Sequence, residues 1–335
     1  MRTALTAFLL LAAAPALADP AVTMFDVPGA SYTSVTSVSP SGVVAGNYGT
    51  GVVGPCSETC GFVRTPDGTI TTFSISGSDG MQVNDVNDSA TVTGFYLKNG
   101  HAIGFVRTAD GAVTEIRRGS KPVVATGINE SGIVTGQTGD FSNAKGFVRT
   151  PDGTMTLFKG DHCTIEAFGI NAAGAVVGEC DARSNTYGFL RQPDGTMSLF
   201  RPPHSIDPGA YAIDGDGSAA GYYFRRHSSA VYGYVRDPDG TLHTFRFPDD
   251  FGSFGLSSMA TVNGDRQVAG EAVTFPGGLW HGWIRHDDGT LELFDAGQGT
   301  TANTGTFVAG IVASGLIPGY FVDDDKIVHG YIRTP

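Results

Sequence analysis

INESGIVTGQTGDFSNAKGFVRTPDGTMTLF, residues 128–158, carries three signals in a fixed order. An I-N-x-x-G-x-V-x-G segment (128–136) is followed by G-F-V-R (146–149), then by the turn P-D-G-T (151–154) and a short stretch that ends in Phe158. Asn, Asp and Gly bound short β-rich segments, and no ten-residue window shows helical spacing of apolar residues. The stretch reads as four strands: one ending at the Asn, one through V-x-G, one through G-F-V-R and one ending in the large apolar residue. In the turns, Gly supplies a positive φ and Asp or Asn bonds to backbone amides of its own turn.

The same order recurs along the chain. Copies of the G-F-V-R element begin at Gly61, Gly104, Gly146, Gly188, Gly233, Gly282 and Gly330, spaced 42 to 49 residues apart. The I-N-x-x-G element begins at Val38, Val86, Ile128, Ile170, Ile213, Val262 and Ile311, and fourth strands end at Phe73, Ile116, Phe158, Phe200, Phe245 and Phe294. Four antiparallel strands per 40 to 50 residues match a propeller blade, and a ring of blades leaves few open sheet edges. The predicted fold is an all-β, seven-bladed β-propeller with four antiparallel strands per blade. Its units fall at about 30–75, 80–118, 121–159, 162–201, 208–247, 256–296 and 305–335 plus 21–27. The last combination follows from an alignment: Arg333-Thr334-Pro335 read on into Asp19 to Phe25 matches Arg149 to Phe158 without a gap. The N-terminal strand is therefore expected to complete the last blade. Strands sandwiched between blades should be apolar on both faces, as Met155, Leu157 and Phe158 suggest.

Composition agrees and excludes alternatives. The chain has 335 residues, 48 of them Gly, with 41% hydrophobic and 16% charged residues and a net charge of -12. These values argue against a basic nucleic-acid binder, a coiled coil and a disordered chain. Residues 1–18 read as a signal peptide: Arg2, an apolar run over 4–14, Pro15, then Ala16-Leu17-Ala18 as an A-x-A cleavage site. A single domain over 19–335, secreted or periplasmic and monomeric, is expected, with no membrane span because no later apolar run approaches eighteen residues. The four cysteines then form two disulfides: Cys56 with Cys60 inside one loop of unit one, and Cys163 with Cys180 across the first hairpin of unit four. Asp214-Gly215-Asp216-Gly217-Ser218 resembles the opening of a calcium loop, but it occupies a hairpin turn and lacks the later Glu; no metal or cofactor is expected.

Each repeat arginine precedes an Asp by three residues (Arg64/Asp67, Arg107/Asp110, Arg149/Asp152, Arg191/Asp194, Arg236/Asp239, Arg285/Asp288), which predicts a local ion pair that fixes the turn while the Arg stem covers an aromatic, with Arg333 finding Asp19. Function is expected elsewhere. The N-x-x-G and P-D-G turns barely vary, whereas the second-to-third-strand loops and the interblade crossings absorb the length differences; those two connections open on one face, which is the natural place for recognition. Ligand-binding candidates there are Arg117, Arg118, His162, Arg183, Tyr222, Tyr223, Arg225, Arg226 and Trp280, and the partner they suit is an anionic glycan or a protein. A polysaccharide-active, lyase-like enzyme is the alternative, with His204, Tyr211, Arg225, Arg226 and His227 as catalytic candidates; a structural surface protein is the third reading.

The elements His281-Gly282-Trp283-Ile284-Arg285 and His329-Gly330-Tyr331-Ile332-Arg333, with P-D-G-T turns and G-x-V-x-G segments, resemble the bacterial extracellular HAF-repeat family. The other copies replace the His with Cys60, Ile103, Lys145, Tyr187 and Tyr232, so no site residue is carried over from it. The resemblance implies an exported bacterial propeller and does not specify a ligand.

Overall fold

The computed structural model describes residues 20–51, 59–140, 142–182, 185–228, 230–246, 257–274 and 277–335, with backbone only at 257–260. Over these residues the protein is all-β and propeller-like, with twenty-eight strands and no helix. In unit three the strands are Val123–Ile128, Val134–Thr138, Lys145–Arg149 and Met155–Phe158, paired antiparallel in that order. Units one, two, four and five form separate four-stranded sheets in the same way. Units six and seven share an eight-stranded sheet, because one parallel bridge between Trp280 and Gly305 joins them. Val22–Phe25 pairs antiparallel with Val328–Arg333, Phe25 lying opposite Gly330, so the N-terminal strand adds to the last unit as expected. Residues 1–18 and Asp19 lie outside the described residues.

The repeated residues are explained by close packing. At Gly146 an added Cβ would overlap the ring of Phe158 across the third and fourth strands, and Gly61, Gly233, Gly282 and Gly330 seat Phe73, Phe245, Phe294 and Phe25 in the same way. Over the seated ring lies an arginine of the next unit. Arg64, Arg107, Arg191, Arg236, Arg285 and Arg333 place their guanidinium carbons 4.5 to 5.1 Å from the centroids of Phe25, Phe73, Phe158, Phe200, Phe245 and Phe294. Each such cation–π contact is worth about 0.5–2 kcal/mol, more as it is desolvated.

This corrects the expected Arg–Asp pairing. None of the five with an Asp three residues on forms an ion pair with it; each donates instead to the carbonyl of its own next residue, as Arg107 does to Thr108 at 3.2 Å and Arg236 to Asp237 at 3.1 Å. The Asp turns inward: Asp67 Oδ1 accepts from Thr69 N at 3.0 Å and Thr65 Oγ1 at 2.6 Å. Arg333 pairs with Glu292 of unit six. Coverage of the fourth strands is also thinner than expected. Leu157 and Leu199 are 36% and 43% exposed, because the fourth strand is the sheet edge and nothing pairs beyond it.

A second belt runs through the N-x-x-G turns. Asn129 Oδ1 accepts from the amides of Ser131 and Ile133, while its Nδ2 donates to the carbonyl of Asn171 in the next unit at 3.1 Å. Asn87 donates likewise to Asn129, Asn171 to Asp214, and Asn263 to Val312, at 3.1 to 3.2 Å. Unit five breaks the series with an acid. Asp214 keeps the turn, its Oδ1 accepting from Ser218 and Asp216 amides, but its Oδ2 takes the place of the donor and is buried without a partner. The D-G-D-G segment is thus a variant belt turn, and no group of three His, Cys, Asp or Glu among the described residues is arranged to hold a metal. The Cys163–Cys180 disulfide forms as expected, with Cα atoms 5.4 Å apart; Cys60 is bonded too, while Cys56 lies outside the described residues.

Burial raises the Asp214 carboxyl above its ordinary range, and the Asp216 charge beside it adds to this. The folded state therefore favours the protonated form, so the stability it contributes is present at acid pH and lost as pH rises through the raised value. Asp214→Asn restores the donor and removes this loss. The variant is expected to gain about 1 kcal/mol at pH 7 and less at pH 4; equal melting temperatures for variant and parent at pH 7 would contradict the belt.

Candidate functional site

The first strands of units one to six, with Ala309, Gly310 and Ile311 just after the first strand of unit seven, line a common axial cavity of about 220 Å³. A β-bulge in the first strand frees one residue per unit in the first five units and re-aims it: Thr36, Asn84, Thr126, Phe168 and Tyr211 all line this cavity. Two polar members are tied to the next unit, Asn84 Nδ2 to Ala125 O at 2.7 Å and Thr126 Oγ1 to Ala167 O at 2.8 Å, while Thr36 Oγ1 donates to Ala45 O of its own unit. The aromatic members stack. Phe168 lies 5.0 Å from Tyr211, and Tyr211 lies 4.6 Å from Tyr222 with the rings 7° from parallel. Burial and Tyr222 push the Tyr211 hydroxyl far above its ordinary value, leaving it a neutral phenol at neutral pH. Toward the N-x-x-G turns the axis opens into a second cavity of about 380 Å³ that contains Asp85, Glu130, Asp214 and Asp216 and no Lys or Arg. Asp85, pushed up to about 6 by burial, is a strut: it accepts from Ser37 Oγ of unit one at 2.6 Å and from Ile128 N of unit three at 2.8 Å.

The candidates on the variable-loop face fall into separate groups. Arg225 lies 4.2 Å above the Tyr232 ring and donates to Tyr223 Oη at 2.9 Å, while Tyr223 stacks on Tyr232. Tyr222 and Tyr223 are neighbours on one strand and point to opposite sheet faces, so the Tyr211/Tyr222 stack and the Tyr223/Arg225 cluster are divided by the sheet. His204, at φ 60°, closes the crossing into the strand where Ser205 pairs with Arg225. Arg226 and His227 are exposed in the following turn. Arg117 pairs with Glu115 at 2.5 Å, Arg118 bridges to Lys121 through the backbone, and Trp280 packs 5.0 Å from Phe307. His162 is exposed at φ 62°; Arg183 lies outside the described residues.

Two clefts open on this face between neighbouring units. One, of about 310 Å³, is lined by Lys98, His101, Arg117 and Lys121; the other, of about 640 Å³, by Lys145, Lys159 and His162. Lys121 is held by Asp140 at 2.7 Å.

Glu179 escaped the reading of the sequence. It follows the V-x-G of unit four, a position that elsewhere reaches the next unit's first strand: Asn47 Oδ1 accepts from Val83 N and Glu271 from Val308 N. In unit five that strand carries an extra irregularity between Ile206 and Gly209, which includes Asp207. Burial, and then the charges of Glu166, Asp181 and Asp207, push Glu179 up to about 7. There is little signal for it in the sequence, since the equivalent position is Asn47, Phe95, Gln137, Tyr222, Glu271 and Tyr320 in the other units, and the acids around Glu179 come in part from two further strands.

No family model matches the sequence, and no curated protein does. Solved structures similar to the chain include a propeller protein and lyases. Virginiamycin B lyase from Staphylococcus aureus superposes with a TM-score of 0.60 at 11% identity, over 95% of this chain and 100% of that one. Oligogalacturonate lyase in complex with manganese gives 0.55 at 10%, over 94% and 96%, and the Dos1 propeller 0.52 at 9%, over 93% of each. At these identities the likeness establishes the propeller fold and says nothing of ligand.

Because the folded value of Glu179 lies above its ordinary 4.5, its contribution to stability is lost as pH rises toward and through about 7. Glu179→Gln is expected to raise the melting temperature more at pH 8 than at pH 5, measured by thermal unfolding at fixed ionic strength. A gain equal at both pH values would show that the carboxyl is not the titrating group.

Proposed function

We propose that the protein is an exported, seven-bladed propeller that binds an anionic glycan on its variable-loop face. Closure of seven blades is supported by the contacts of Tyr32–Val38 in unit one with Ile317–Val322 and Val328–Arg333 in unit seven, and by Arg64 covering Phe25 across the same seam. Export is supported by the apolar run over 4–14 with its A-x-A site and by the Cys163–Cys180 disulfide; the HAF-like repeats point the same way. No helix among the described residues is long and apolar enough to cross a membrane.

One observation carries the binding reading. The residue after the last apolar position of the fourth strand, at the variable-loop end, is Arg117, Lys159, Arg201 and Arg246 in units two to five, and Asp295 and Asp26 in units six and seven. A chain with a net charge of -12 thus gathers cations in one sector of one face, the arrangement that recruits a polyanion. The lyase-like reading is weaker, since it needs Tyr211 and Arg225 at one substrate atom and they lie on opposite faces of a sheet.

Binding of polygalacturonate, dextran and polylysine to the purified mature protein tests this. Salt-sensitive binding of polygalacturonate alone is expected, without release of unsaturated products. Equal affinity for dextran, or no binding of any of the three, would overturn it.

A further inference from the structure

Across the third and fourth strands, the residue before the G-F-V-R glycine faces the residue after the terminal apolar position. In unit five this register is Tyr232 opposite Arg246. The pairs are matched in chemistry. Arg201 lies over the Tyr187 ring at 5.4 Å in unit four; His281 Nδ1 is 2.8 Å from Asp295 in unit six; His329 Nδ1 is 2.9 Å from Asp26 in unit seven. Units one and two place Cys60 with Ser74 and Ile103 with Arg117, so no charge faces its like.

Unit three alone sets two cations against each other. Its ladder ends at Gly146 opposite Phe158, which puts Lys145 beside Lys159. Like charges directly opposite on a sheet are destabilising, and neither ammonium has an ion pair among the described residues. Both line the 640 Å³ cleft between units three and four, and so does His162 on the adjoining crossing. That crossing is fixed: Gly160 bridges to Cys163, which is bonded to Cys180, and an added Cβ at Gly160 would overlap the Cys163 sulfur. The remaining wall is polar, with Asn143 and Thr164, and Asp181 is the carboxylate on it. The volume falls within the range of small-ligand pockets.

From this we infer that the cleft is a subsite for one uronate residue of an acidic polysaccharide, its carboxylate held between Lys145 and Lys159, with His162, Asn143 and Thr164 available to its hydroxyls. The inference rests on the binding reading above and assigns its residues. A cation pair that repels itself in the free protein is relieved when an anion enters, so the same contact serves binding and stability, and the disulfide-pinned crossing limits the ordering cost.

Trigalacturonate binding by isothermal titration calorimetry, with inorganic phosphate and neutral galactose oligomers alongside, tests it on the full mature chain. Lys145→Ala and Lys159→Ala should each weaken trigalacturonate binding about tenfold, as expected for loss of one charge-assisted contact, while Arg266→Ala, in the N-x-x-G turn of unit six where Arg266 pairs with Asp237 and Asp287, leaves it within twofold. Lys159→Glu should abolish binding and raise the melting temperature of the ligand-free protein. Wild-type binding that survives both lysine variants would overturn the subsite and leave the broader reading standing; absence of wild-type binding would sink both. Phosphate binding as tightly as trigalacturonate would reduce the site to a simple anion site and reject the saccharide. A ligand-free Lys159→Glu protein no more stable than the parent would refute the like-charge pair from which the site was inferred.

Discussion

The third-strand glycine gives a phenylalanine ring a seat, and an arginine from the next sheet lies over that ring. This arrangement couples neighbours directly: the ring is held by its own sheet from below and by another sheet from above. Replacing the glycine would displace the ring, and displacing the ring would leave a half-buried guanidinium without its cover. The Asn belt at the turns repeats the principle with hydrogen bonds, each amide serving its own turn through oxygen and the next unit through nitrogen. Side chains that span units hold the sheets together, since among the described residues five of the sheets share no strand pairing with a neighbour.

Those couplings consume the conserved-turn end of every unit. The turn carboxylates bond to amides of their own turns, the arginines bond to the carbonyl of the following residue, and the belt asparagines are bonded at both ends. At the opposite end the residues at one structural position change from Arg or Lys to Asp around the chain. Most of that charge is matched locally, Arg117 with Glu115, Arg201 over Tyr187, and the two Asp with His281 and His329, whereas Lys159 stands beside Lys145.

Much of the fold was legible because a repeat states each requirement seven times. Strand order, turn chemistry, the addition of Val22–Phe25 to the last unit and the Cys163–Cys180 bridge all followed from spacing. That the arginines cover an aromatic was legible, but their ion-pair partner was misassigned because Asp lies three residues away in sequence, whereas the ring each one covers lies in the preceding unit, and proximity in sequence says nothing of which is nearer in space. The axial aromatic stack escaped for a related reason: strict alternation sends Tyr211 to a sheet face, and only the bulge after Ala210 turns it to the axis.

The site was less legible than the fold, since departures from a repeat show where to look without showing what they face. Lys145 and Lys159 are fourteen residues apart, and each alone is an ordinary surface lysine. Glu179 is one acid among many until three carboxylates from other strand positions surround it. The sequence by itself determined the unit, its four strands and its turns, because these depend on local backbone preferences and on contacts within some forty residues. Which side chains meet between units, and hence which charges are paired, buried or left opposing one another, was decided by the tertiary structure, because those distances are set by the packing of whole sheets.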